Sequence, residues 1–224
     1  MITLAKFPAW VCALSISACA ALAGDDDVAV AIVCDSSGSM KDSVKGKGST
    51  EPKWQIANRA LLAIVARLEK VPATGGRKIQ AGLFTFAGQG AREIVKPGPL
   101  DAAAMRAAIK DLGQPTSGTP LGNAVAEATR ALTKVKAGAY HVLVITDGMN
   151  TAGPAPEAVL PALQDQAIKS GTPVYFHFVA FDVDAKVFAG VKKLGTTLVS
   201  ASDETQLTQK LNFILEEKIL LEKD

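Results

Sequence analysis

Apolar residues are distributed along this chain in two ways. Some form short unbroken runs, and others return every three or four positions over longer stretches. An unbroken run lies at 28–34, and mainly apolar segments lie at 78–86, 140–146 and 174–181. A strand covered on both faces has no solvent side to mark with polar residues, so such runs predict central parallel strands. Between them, Trp54, Ala57, Leu61, Ile64, Val65 and Leu68 recur at helical spacing and predict a helix facing the sheet. Thr50 is expected to cap it, with Pro52 in its first turn and Pro72 and Gly75-Gly76 ending it. Residues 41–50 are polar and Gly-rich and predict a surface loop. Residues 91–95 follow their predecessor too closely for a helical crossover, which predicts a short antiparallel strand at a sheet edge.

Further along, Asp101 caps an Ala-rich helix ending near Leu112, and a second helix runs from Pro120 to about Lys134. A third helix is predicted through Ile168, a fourth over 185–194, and a last strand over 197–200. Ser202, Asp203 and Glu204 start a closing helix, whose stripe of Leu207, Leu211, Ile214 and Leu215 faces the core. Strands alternating with helices imply right-handed crossovers. The predicted class is therefore α/β, a three-layer, doubly wound, Rossmann-like and mostly parallel sheet with helices on both faces.

The first residues stand apart from that pattern. Lys6 precedes an apolar stretch over 7–16, and small residues follow through Ala23, so residues 1–23 read as a secretory signal. Ala21-Leu22-Ala23 suits ordinary cleavage, whereas Ile16-Ser17-Ala18-Cys19 resembles a lipobox that would lipidate Cys19. Residues 24–27 are expected to form a solvated acidic leader and residues 28–222 the folded domain. The chain is accordingly expected outside the cytoplasm: periplasmic or secreted, or lipid-anchored to the cell envelope. Its only predicted tie to a membrane is that lipid.

Composition narrows the function. With 24 Lys+Arg against 22 Asp+Glu, the chain has no field strong enough for nucleic acid or an anionic surface. Aromatics at 5% supply few platforms for stacking bases. Cys34 lies inside an apolar run and reads as a small core hydrophobe. His141 and His177 read as sheet residues, neither having a His or Cys partner at ligand spacing. Lys41, Lys45 and Lys47 read as solvated loop residues.

Candidate chemistry gathers in three loops that follow apolar runs or precede a helix. They are Asp35-Ser36-Ser37-Gly38-Ser39, Ser117-Gly118-Thr119-Pro120 and Thr146-Asp147-Gly148. An open α/β sheet places its ligands at the carboxyl ends of its strands. Hydroxyls and carboxylates without His or Cys suit hard cations: Mg²⁺, Mn²⁺ or Ca²⁺.

These loops, in this order, resemble the metal-ion-dependent adhesion site of von Willebrand factor A domains, and the resemblance spans about residues 27–215. It implies strand order 3-2-1-4-5-6 with the third strand antiparallel. It implies Ser37 and Ser39 as direct hydroxyl ligands and Asp35 as a carboxylate acting through water. Thr119 would be the switchable hydroxyl and Asp147 the second carboxylate. Met40, Ser117, Gly118 and Met149 would rim the site. The implied function is non-enzymatic: a protein ligand presenting Asp or Glu completes the shell of a bound Mg²⁺. Two alternatives stand beside it. A metal-dependent hydrolase of phosphatase type would need a second Asp where Ser37 stands, and a cation that none of the three loops supplies. The other is a scaffold with a vestigial site.

Overall fold

β1, Val28–Asp35, is buried along its whole length and lies at the centre of a six-stranded sheet. The structure, a computed structural model, describes residues 27–46, 48–71 and 77–220. Parallel neighbours flank β1: β4, Ile79–Ala87, on one side and β6, Ala139–Thr146, on the other. Beyond β6 come β7, Val174–Phe181, and β8, Thr197–Ala201, both parallel. Beyond β4, β5 (Gly90–Pro99) closes the other edge antiparallel. Counted by chain order within this sheet, the arrangement is 3-2-1-4-5-6, as expected.

Alternate residues of β1 feed two separate cores. Val28, Val30, Ile32 and Cys34 meet α1 (Lys53–Leu68), α2 (Ala102–Lys110) and α6 (Glu204–Ile214) through Ile64, Met105 and Leu211. Ala29, Ala31 and Val33 face the other way. They meet α3 (Leu121–Leu132), α4 (Pro156–Ser170) and α5 (Ala189–Lys193) through Val125, Leu160 and Val191. A strand with two apolar faces needs two covering layers, which is why the sequence shows runs rather than alternation.

Several local expectations are corrected. The segment read as a loop contains a small hairpin of β2, Ser43–Lys45, and β3, Thr50–Pro52. Thr50 pairs with Lys45 in that hairpin, so it cannot cap α1, whose N-cap is Pro52 without a side-chain bond. β5 runs ten residues rather than five. The helix predicted over 185–194 divides into a 3₁₀ turn, Ala185–Phe188, and the short α5. Asp101 and Asp203 cap α2 and α6 through their side chains. After α6 the chain continues as a π-helical turn, Leu215–Ile219.

The signal segment, Cys19, Asp25, Asp26, Lys47, Pro72 and Gly75-Gly76 lie outside the described residues. Asp27, assigned to a solvated leader, is in fact buried. Its carboxylate accepts from the Lys78 N–H at 2.8 Å, and its carbonyl accepts from Gly138 and Ala139. Among the described residues no helix is long and apolar enough to cross a membrane.

Candidate functional site

At the carboxyl end of β1 the chain turns through Ser36 and Ser37 into a 3₁₀ turn, Gly38–Lys41. The turn brings the Ser37 and Ser39 hydroxyls to 3.2 Å of each other. Ser39 Oγ also donates to Asp147 Oδ1 at 2.7 Å, joining the first loop to the third across 108 residues of sequence. Asp35 is 2% exposed, and both its oxygens are engaged. Oδ1 accepts from the Ser37 N–H at 2.7 Å and Oδ2 from the Thr146 hydroxyl at 2.6 Å.

The second loop is pinned from two sides. The Thr119 N–H donates to Thr151 Oγ1 at 2.8 Å, and the Thr151 N–H returns a bond to the Thr119 carbonyl at 2.9 Å. Gly118 has φ +87, and a Cβ there would come 2.5 Å from the Gly88 carbonyl oxygen. Only glycine lets this loop lie against the β4–β5 turn. Beside Gly148, a Cβ would find Ser39 Oγ at 3.8 Å and Thr119 Oγ1 at 3.9 Å, so both hydroxyls converge on one side of the third loop.

All five expected donors thus meet at one place. Hydroxyl and carboxylate oxygens around an octahedral Mg²⁺, each at about 2.0–2.1 Å, lie about 2.9 Å apart along an edge. The Ser37–Ser39 spacing of 3.2 Å, between two expected direct ligands, is close to that edge, and the oxygen-only donor set suits a hard ion.

Of the expected rim residues, Met149 is 60% exposed and Ser117 is exposed beside Gly118. Met40 is corrected. It has no exposed surface and packs into the core under α1, because the 3₁₀ turn points it inward. Next to Asp35 opens a cavity of about 440 Å³, with Trp54, Asn58, Thr85, Arg92 and Gln114 in its wall.

Electrostatically the site is under tension. Burial, the largest influence, pushes the Asp35 carboxyl up to about 6, and the Asp147 charge adds to this. Hydrogen bonds from Ser37 and Thr146 pull the other way. Burial likewise drives the Cys34 thiol up to about 12, leaving it an inert core group.

Sequence reasoning missed three participants. Thr146 orients Asp35. Lys53, the first residue of α1, places Nζ 3.0 Å from Asp147 Oδ2 and 3.0 Å from Asp182 Oδ2. The three loops indeed contain no cation, yet α1 delivers one. A carboxylate just past the end of β7 was a legible signal for Asp182. Lys53 had none, because its partners are 94 and 129 positions away.

The two histidines are sheet residues, as read, His141 in β6 and His177 in β7. His141 Nδ1 and His177 Nε2 lie 3.0 Å apart on neighbouring strands, with rings stacked at 5.3 Å. Strand register, rather than spacing along the chain, brings them together. His177 Nδ1 has no hydrogen-bond partner among the described residues.

Comparison with known proteins agrees with this architecture. A sequence model of the von Willebrand factor type A domain matches residues 29–212. The PilB minor pilin from Streptococcus sanguinis has a similar structure, with TM-score 0.66 and 18% identity over 85% of this chain. The present chain spans 61% of that pilin. The vWF domain of the type V pili tip protein Mfa5 from Porphyromonas gingivalis gives TM-score 0.64 and 15% identity, covering 86% of this chain and 95% of that one. An aerotolerance-related membrane protein from Bacteroides fragilis gives TM-score 0.59 and 16% identity, covering 83% and 96%. No curated protein sequence matches the chain.

Proposed function

The chain belongs to the von Willebrand factor type A domain family, whose members typically mediate protein–protein interactions, and from that premise we propose that it is an exported, metal-dependent docking module. The observation that carries this reading is the convergence of Ser37, Ser39, Thr119, Asp35 and Asp147, from three loops, on one rim of the sheet. Ser37, Ser39 and Thr119 would hold a Mg²⁺, Mn²⁺ or Ca²⁺ ion directly, while Asp35 and Asp147 orient the hydroxyls and balance its charge. When bound, such an ion supplies an electrophilic position that an Asp or Glu of a partner protein can fill. Mostly neutral donors leave that position unquenched.

The residues themselves explain the division of labour. Asp35 is buried and doubly hydrogen-bonded, so it fixes Ser37 and does not meet a partner. The same fact disfavours the hydrolase alternative, because a nucleophilic carboxylate needs an open approach to its oxygen. Ser39 and Met149 are exposed and would face the ligand. The surface location of the pilin and pilus-tip proteins similar in fold supports export, and with it the reading of residues 1–23 as a signal and Cys19 as its alternative lipid anchor.

Thermal melting tests the metal claim. Saturating Mg²⁺ or Mn²⁺ is expected to raise the melting temperature, chelator to reverse it, and Ser37→Ala to abolish the response. An unchanged melt in both ions would refute it. A pull-down from an envelope extract tests the docking claim: capture that survives both chelator and Thr119→Ala would refute a metal-bridged contact.

A further inference from the structure

Lys53 and Asp182 lie outside the five donors and outside the pattern the family resemblance supplied. Lys53 is a buried cation whose side chain is 7% exposed, and the side chain of Asp147 beside it has no exposed surface. Both oxygens of Asp147 are engaged: Oδ2 holds the ammonium while Oδ1 accepts from Ser39. The ammonium is 3.0 Å from each of two carboxylates, so it has two seats. One of these, Asp182, is 40% exposed and belongs to a loop outside the donor set. Asp182 is also the one non-glycine residue with positive φ among the described residues, at 54, held there by its N–H donating to the Ala201 carbonyl at 2.7 Å. Backbone strain at a non-glycine position persists where surrounding structure enforces it, and it concentrates at functional sites.

We infer that Lys53 is a tethered competitor for Asp147, with Asp182 as the seat to which it retreats when a divalent ion is loaded. This rests on the metal reading above. Lys53 and a divalent ion would share one carboxylate within a few ångströms, and their repulsion opposes loading. At an effective dielectric of about 20, charges that close alter affinity by more than about tenfold. Asp182 makes loading achievable, because the ammonium keeps one full ion pair after giving up the other. The arrangement sets a high threshold for the ion. The ion and the ammonium are then balanced by Asp35, Asp147 and Asp182, and an acidic partner residue is drawn by the ion's open position. Partner and ion would then reinforce each other's binding.

Calorimetric titration of Mn²⁺ into the full chain tests this, using wild type, Lys53→Gln, Asp182→Asn and the double variant, each checked for a cooperative melt. Lys53→Gln is expected to bind Mn²⁺ about tenfold tighter or more, and Asp182→Asn several-fold weaker. In the Lys53→Gln background the Asp182→Asn effect should shrink to the direct effect of one charge, because the rest acts through Lys53. Asp184→Asn removes a neighbouring exposed charge that touches neither group, and affinity should stay within about twofold. Lys53→Gln binding equally or more weakly, or additive effects in the double variant, would overturn the inference while leaving the metal site standing. Should Lys53→Gln not fold, Asp182→Asn carries the decision: affinity equal to or tighter than wild type overturns it. Absence of Mn²⁺ binding by both wild type and Lys53→Gln would remove the metal reading and the inference together.

Discussion

Replacing Asp35 with asparagine is expected to stabilise the metal-free protein while abolishing its response to metal. Raising the carboxyl from its ordinary 3.8 to about 6 means that the ionised form costs the folded state about 3 kcal/mol at neutral pH. The sign follows from linkage. The protonated group's contribution is fully present below pH 3.8 and is lost as pH rises to about 6. Asparagine removes the charge and keeps the geometry. Its carbonyl oxygen can still accept from the Ser37 N–H. The Thr146 hydroxyl can turn to the Gly148 carbonyl, 3.2 Å away, and accept from the new amide. Allowing for the weaker bond from Ser37 to a neutral acceptor, the net gain should be about 2 kcal/mol. For a domain of this size that corresponds to a melting temperature roughly 4–8 °C higher. The assay is a thermal melt at pH 7.5 in chelator, repeated in saturating Mn²⁺. Wild type should rise with Mn²⁺ and Asp35→Asn should not. A variant that melts below wild type in chelator, or that gains as much from Mn²⁺, would refute the reasoning.

Other outcomes follow from the same geometry. Burial, then the Lys218 charge, pushes His177 down to about 4, so stability is full above pH 6.5 and falls by about 3 kcal/mol as pH drops to 4. That slope opposes the Asp35 slope: melts of Asp35→Asn should fall on acidification, those of His177→Leu should rise, and two parallel curves would contradict both assignments. Gly118→Ala forces a Cβ to 2.5 Å from the Gly88 carbonyl in a positive-φ position. It should cost about 2 kcal/mol or more in denaturant melts and weaken Mn²⁺ binding through Thr119. An unaffected Mn²⁺ titration would show that the second loop does not contribute. Cys34→Ser should be destabilising by about 1–3 kcal/mol in the same melts, since it buries a hydroxyl in an apolar core, and a neutral result would contradict the packing role.

The central strands were legible because a doubly covered strand writes its environment into contiguous residues. Val28 through Cys34 need no knowledge of their neighbours to be read. The three candidate loops were legible because each follows a strand or opens a helix, where chain geometry is local. The β2–β3 hairpin was not, since its residues are polar and Thr50 serves a strand as readily as a helix cap. His141 and His177 illustrate the limit: each looks solitary until β6 and β7 are aligned, and that register is a property of the sheet. Lys53 is harder still. Its position at the start of a helix gives no hint that two strand ends, far along the chain, deliver carboxylates to it.

The edge strand β5 has one more consequence. Leu100 N–H donates inward to the Ile79 carbonyl, so the preceding residue, Pro99, turns its backbone nitrogen outward. Being proline, it carries no hydrogen there. A register shift near Leu83 further breaks the ladder along this margin. A foreign strand laid against β5 would therefore find a donor missing at Pro99 and a kinked template. Copies of the domain cannot zip together along that border into a continuous sheet, so growth by strand addition is closed on the β5 side.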